Sequence, residues 1–426
     1  MLHLKNATYI DWKTLEFVKT DIFVAEGEEG KISFRSENEL PAHDKDIKII
    51  DCTGKYVTKS FVVGHHHVYS SLARGMGAPK KNPANFLEIL EYIWWSLDKC
   101  LDEEMIRYSA LTTAMACAKA GATFVIDHHA SPNFVKNSLQ TIAGAFDEVG
   151  VSHLLCYEIS DRDGLDIAEK GLQETDSWLQ NKQGLVGLHA SFTVGDDTLK
   201  SAVDLMKKYN SGIHIHVAED PTDQDHCIKN HGKRVVNRLY DNGVLDSSRT
   251  ILGHCLHLTE AERDLIRSSK AWVVQNMESN LNNKVGYFSG KNLGDRIMLG
   301  TDGMHSDMIR SAKAAFFAGQ NTDNIDYNSA YIRFRNAHNY ISNGSFKGDG
   351  ENNLVVLEYD TPTEFNSSNF LGHFLFGLNS NHIQHVISNG KLIIENRKIS
   401  LVNEDEILER SRKLSVKLWD KMRNEE

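Results

Sequence analysis

Between residues 61 and 303 the chain alternates short apolar runs with longer amphipathic stretches, eight times in succession. Strand, helix and strand in that order imply parallel pairing, because the helix must carry the chain back to the start of the next strand. The first predicted strand opens with Phe61-Val62-Val63; the others cover residues 123–126, 152–156, 184–188, 212–217, 250–253, 271–274 and 296–299. A long excursion, residues 69–101, separates the first strand from its helix, for which Asp102 is the N-cap and Gly121 the stop. Further helices are expected over 133–150, 166–180, 197–209, 235–240 and 307–341, and one from Thr259, with Glu262 completing a Thr-x-x-Glu cap. Eight strand–helix units make a (β/α)8 barrel.

Both ends of the chain read as β-rich. Residues 2–10, 21–25, 31–34, 47–51 and 56–57 are short strand-like runs, with a hairpin turn at Glu26-Gly27-Glu28-Glu29-Gly30. Residues 354–359, 374–377, 383–388 and 391–395 repeat that character, with Asn389-Gly390 as a hairpin turn, before an amphipathic helix over 404–422. The expected organisation is an α/β barrel at 59–345 and one small composite β-sandwich domain. Residues 1–58 supply the N-terminal part of that domain, and 346–426 its C-terminal part plus the last helix.

A net charge of −11 without a basic cluster argues against a nucleic-acid surface. No apolar run approaches the roughly 18 residues that span a bilayer. Met1-Leu2-His3-Leu4-Lys5-Asn6 lacks the basic and apolar regions of a signal peptide, and six cysteines show no Cys-x-x-Cys spacing. The expectation is a cytoplasmic protein with reduced thiols that acts on a small molecule, with no nucleic-acid or membrane partner.

Polar residues collect where a barrel places its chemistry, at the C-terminal ends of the strands. The first, second, fourth, fifth and sixth strands finish in histidine and the eighth in aspartate. His65 and His67 share one face of a strand, while His66 faces away. Imidazoles joined by one carboxylate suit Zn²⁺ or Fe²⁺ better than Mg²⁺ or Ca²⁺, which favour oxygen. His65, His67, His216 and Asp302 would bind one such ion and leave a position for water, whose pKa then falls from 15.7 toward about 7. His214 lies on the same face as His216 and competes with it as a ligand.

Glu219, three residues beyond His216, is placed to move a proton, although solvation beside Asp220 would also explain a loop glutamate. His254 is placed to hydrogen-bond developing charge, or to satisfy itself on the backbone within the core. His128, His129, His189, Phe192 and Asn280 are candidate substrate contacts. His66, His257 and His305 are left as pocket wall, supporting groups or surface.

Gly64-His65-His66-His67-Val68-Tyr69 resembles the first-strand motif of the amidohydrolase superfamily. His214-Ile215-His216-Val217-Ala218-Glu219, Leu252-Gly253-His254 and Leu299-Gly300-Thr301-Asp302-Gly303 resemble its fifth, sixth and eighth strand motifs, and Glu278-Ser279-Asn280 its Ser-Asn loop. The similarity is to the branch of guanine deaminase, cytosine deaminase and the triazine chlorohydrolases. Asp127-His128-His129-Ala130-Ser131-Pro132 and Leu188-His189-Ala190-Ser191-Phe192-Thr193 resemble its SsnA-type aminohydrolases.

The resemblance implies metal ligands at His65, His67, His216 and Asp302, a proton shuttle at Glu219 and an assisting His254. The fourth strand ends Leu188-His189-Ala190, without the lysine that bridges two ions in binuclear members, so a single divalent ion is implied, zinc or else iron. The Pro-Gly that usually precedes the first-strand motif is replaced by Lys59-Ser60, a change expected to alter only the entry turn. A homodimer and hydrolytic deamination of a purine, pterin or triazine-like ring are implied. The same site could instead open a cyclic amide or remove a halide, and a catalytically inactive binding barrel would lack ligands that are present here.

Overall fold

The computed structural model describes residues 1–35 and 47–424. Five strands come first: β1 (Leu2–Ile10), β2 (Phe17–Val24), β3 (Ile32–Arg35), β4 (Lys48–Asp51) and β5 (Tyr56–Lys59). The barrel strands follow: β6 (Phe61–His66), β7 (Ala122–His129), β8 (Ser152–Ile159), β9 (Val186–Ala190), β10 (Ile213–Val217), β11 (Ile251–His254), β12 (Trp272–Gln275) and β13 (Ile297–Leu299). Four more, β14 (Leu354–Leu357), β15 (Ile383–Ser388), β16 (Lys391–Glu395) and β17 (Lys398–Ile399), precede the last helix, Glu404–Asn424.

Strands β6 to β13 hydrogen-bond in chain order, all parallel, with helices between them. Closure comes at the mouth, where the carbonyl of His65 accepts from the backbone N–H groups of Thr301 (3.0 Å) and Asp302 (3.1 Å). Glycines make this approach possible. A Cβ on Gly64 would stand 2.5 Å from the Leu299 carbonyl oxygen, and one on Gly300 2.8 Å from the Cβ of His65. The (β/α)8 architecture expected from the alternation is therefore present, and the strands carrying the first histidines and Asp302 meet at its closing edge.

Inside the barrel, Val62, Phe124, Ile126, Leu154, Trp272 and Met298 form an apolar floor, beneath which packs Tyr340 from the helix Tyr327–Asn343. Val63, Ile213 and Ile215 face the surrounding helices. Val62 points inward and so does His65, three residues later, which strict two-residue alternation forbids. The pairing of β6 with β7 shifts register between Val63 and His66, and that irregularity turns the histidines into the barrel.

The remaining strands join both ends of the chain into one nine-stranded sheet, ordered β17-β16-β15-β14-β5-β1-β2-β3 with β4 beside β1. Antiparallel pairing of β5 with β14 connects the two ends, over a core that includes Leu4, Ile22, Val57, Val356 and Ile387. Asn389 and Gly390 both have positive φ, as their two-residue hairpin requires. Asp102 and the Thr259/Glu262 box cap their helices as expected.

One predicted strand is corrected. Residues 374–377 lie at the end of the helix Phe370–Phe376, where Phe370 and Phe374 are buried one turn apart. A short apolar run has no periodicity of its own to separate strand from helix. All six cysteines are free and buried, and no helix among the described residues is long and apolar enough to cross a membrane.

Candidate active site

Backbone carbonyls set the histidine tautomers at the mouth. A carbonyl only accepts, so His67 Nδ1 donates to His128 O (2.7 Å) and His216 Nδ1 donates to His189 O (2.9 Å). Each ring then presents a bare Nε2, and the two Nε2 atoms face one another at 3.2 Å. His65 is fully buried, and its Nε2 has no hydrogen-bond partner. Its Nδ1 lies 2.9 Å from Nε2 of His214, which therefore stands behind His65. Asp302 Oδ1 completes the group, 3.1 Å from His67 Nε2 and 3.6 Å from His65 Nε2.

Converging lone pairs without donors are unfavourable unless a cation joins them. His65, His67 and Asp302 lie close enough to share one ion, and His67 Nε2 is 3.2 Å from His216 Nε2, so three imidazole nitrogens and one carboxylate oxygen offer a donor set that fits Zn²⁺ or Fe²⁺. Charge within the protein points the same way. Without an ion, a proton takes its place on His67 Nε2: burial lowers the pKa of His67, yet the hydrogen bond and charge of Asp302 overcome it and raise it to about 9. Burial would raise Asp302, but His65 and His67 hold its carboxyl well below the usual range.

Two further groups border this point. Glu219 Oε2 lies 3.4 Å from His254 Nε2, which is 3.8 Å from Asp302 Oδ2. Burial, and then the Asp302 carboxylate, push the Glu219 carboxyl well above its ordinary value, so it gives up its proton less readily than a free glutamate. Burial lowers His254 to about 4 and keeps its ring neutral. The backbone is strained just here: Ala218, His254, Cys255 and Asp302 all have positive φ, between 47° and 65°.

A cleft of about 610 Å³, measured to its open mouth, lies over these groups. Among the predicted substrate contacts, His189 lines it, and Phe192 lines a smaller recess that shares His189, His216 and Glu219. His128, His129 and Asn280 are not among its described lining residues. His128 sits 3.0 Å from Glu158, His129 bonds to Ser131, and Asn280 lies against His254. Away from the cleft, His66 Nε2 is 3.3 Å from Ser306 Oγ, His257 donates to the Val285 carbonyl and His305 pairs with Glu278.

Sequence reasoning passed over Glu158, Arg162, Trp94 and Trp95, all of which line the cleft. Glu158 carried a usable signal, an acidic residue at the C-terminal end of the third barrel strand. Its carboxyl resists burial and stays well below its ordinary range because His189, His128 and Arg162 face it. The tryptophans come from a π-helical turn, Leu90–Trp94, and the helix Trp95–Cys100 within the excursion. Arg162 bonds to Asp98 and Glu158 and stacks its guanidinium 5.2 Å above the Trp95 ring.

A closed parallel barrel with an acceptor-lined ion seat at its C-terminal mouth defines a class of metal-dependent hydrolases. Residues 56–393 match the model of the Amidohydrolase family. The chain belongs to that family. It is 25% identical over 393 residues to a 5-methylthioadenosine/S-adenosylhomocysteine deaminase of Thermoanaerobacter pseudethanolicus, covering 85% of this chain and 88% of the other. It is also 25% identical over 439 residues to a 5'-deoxyadenosine deaminase of Methanopyrus kandleri, covering 95% and 97%. A zinc-bound adenosine deaminase from Xanthomonas campestris superposes with a TM-score of 0.83 at 17% identity, over 100% of this chain and 99% of that one.

Proposed function

We propose that this protein is a metal-dependent hydrolytic deaminase that removes ammonia from a nitrogen heterocycle, a purine, pterin or triazine-like ring. Glu219 carries the proposal: a half-buried carboxyl beside the ion seat, whose hold on a proton burial and Asp302 strengthen, suits transfer of a proton to a ring nitrogen. Membership of the Amidohydrolase family and relatives named as deaminases of adenine nucleosides support it.

His65, His67, His216 and Asp302 would hold the ion, Zn²⁺ in this proposal, with Fe²⁺ as the alternative. When bound it acts as a Lewis acid that lowers the pKa of water toward about 7. Asp302 takes the proton that water loses as its oxygen adds to the amino-bearing carbon. Glu219 gives its own proton to the adjacent ring nitrogen, and His254 donates a hydrogen bond to the oxygen. The proton on Asp302 passes to the amino group, the carbon–nitrogen bond breaks to release ammonia, and the remaining hydroxyl proton returns to Glu219 as the carbonyl forms. Trp94 and Trp95 give the ring apolar walls, and Glu158 offers an acceptor to its N–H groups.

The test is ammonia release by metal-loaded protein from aminated purines and their nucleosides, pyrimidines, pterins and triazines. At least one is expected to be deaminated, with activity lost on chelation. A ring-opened carboxylate or halide product without ammonia would overturn the proposal. By its resemblance the protein is also proposed to be a homodimer, which sedimentation equilibrium tests.

A further inference from the structure

Three imidazoles at the mouth, His65, His216 and His254, lie close enough to share one ion. Whether His254 is a ligand or a hydrogen-bond donor depends on which of its nitrogens carries the hydrogen. Asn280 decides this. It is fully buried on the helix Met277–Asn283, and its amide nitrogen is 2.7 Å from His254 Nδ1. A donated N–H makes Nδ1 an acceptor and leaves the hydrogen on Nε2.

Two independent observations favour this orientation of the amide. Asn280 Oδ1 has no partner, so turning the amide over would replace one orphaned acceptor with an NH₂ group that has no acceptor. Buried donors without acceptors are rarer in proteins than under-used carbonyl oxygens. On the opposite edge of the ring, Nε2 faces Glu219 Oε2 at 3.4 Å and Asp302 Oδ2 at 3.8 Å. An N–H is favourable toward the Asp302 carboxylate, which a bare nitrogen would oppose.

We propose that Asn280 is a positioning residue that holds His254 with its hydrogen on Nε2. That nitrogen is thereby kept out of the metal's ligand set and aimed at the reacting atoms. The role assigned to His254 rests on the deaminase reading above; the tautomer does not. Asn280 therefore acts through His254 and not by touching substrate.

The test is the tautomer of His254 in metal-free, substrate-free protein, read from long-range ¹H–¹⁵N correlations and assigned by the signals lost in His254→Gln. The expected pattern in the unaltered protein is a protonated Nε2 and a bare Nδ1. In Asn280→Asp, whose carboxylate only accepts, Nδ1 gains the hydrogen, and kcat falls about 10²-fold while KM stays within a few-fold. A hydrogen on Nδ1 in the unaltered protein overturns the proposal, as does unchanged kcat in a folded Asn280→Asp. If that variant does not fold, the spectrum of the unaltered protein alone decides. Protonated Nε2 in a protein that releases ammonia from no ring would refute the deaminase reading and leave the tautomer standing.

Discussion

Individual side chains at the mouth separate into those whose role spacing suggests and those whose partners are remote in sequence. Under the proposed mechanism Glu219→Gln keeps its metal, measured by elemental analysis, and loses about 10²–10⁴-fold in kcat. Loss of metal in that variant would make Glu219 a ligand instead. Asp302→Asn is expected to keep the fold, read by circular dichroism, and to lose turnover by orders of magnitude; near-normal turnover would remove Asp302 from the mechanism. That His65, His67, His216, Glu219 and Asp302 gather at one mouth was legible because each lies at or just beyond the C-terminal end of a strand, and strand ends converge in any parallel barrel. Glu158 and the pairing of Asn280 with His254 were not. Glu158 faces His128 and Arg162, and Asn280 faces a ring 26 residues away, so in each case the contact depends on packing between elements.

At the scale of elements, the departure at Lys59-Ser60 does more than alter a turn. Lys59 Nζ pairs with Asp349 Oδ1 at 2.7 Å, and His338 Nδ1 lies 2.7 Å from Asp349 Oδ2, with all three side chains buried. Arg335 donates to the carbonyls of Lys59 and Ser60 at the same point. This cluster ties the entry of β6 to the chain just before β14. Lys59→Met is expected to destabilise the protein by about 3–5 kcal/mol in urea unfolding, because it removes one partner of a buried ion pair.

The cluster also gives a pH dependence. Against burial, His338 and Lys59 lower Asp349 from 3.8 to about 2. A depressed acid stabilises the fold above its unfolded pKa, and that contribution disappears as pH falls through the folded value. Stability from this group is therefore complete above pH 3.8 and gone below about 2. In Asp349→Asn, acid unfolding followed by fluorescence is expected to show a shallower loss across that window.

For the whole molecule, we propose a division at 58/59 and 345/346, with His338, on the helix Tyr327–Asn343, bridging the two parts through Asp349. Limited proteolysis that cuts at these boundaries would support it. The proposed ion seat draws its ligands from three strands, β6, β10 and β13, that meet only in the folded state, so metal should bind the native protein alone. Zinc added to metal-free protein at about a thousandfold excess over its Kd should raise stability by about 4 kcal/mol, seen as a higher Tm, and chelator should reverse this. A Tm indifferent to both would mean that the mouth holds no ion.

The sequence by itself determined the eightfold alternation, the barrel that follows from it and the gathering of histidines and Asp302 at one end. These depend on period and order along the chain, which local composition records. Only the tertiary structure decided that β6 slips register so that His65 and His67 turn inward, and the order in which the strands from both chain ends pair within their shared domain. The tautomers of His67, His216 and His254 were likewise decided there, by partners on neighbouring strands and helices. A hydrogen bond between residues far apart in the chain leaves no mark on periodicity, so packing alone distinguishes ligand from donor.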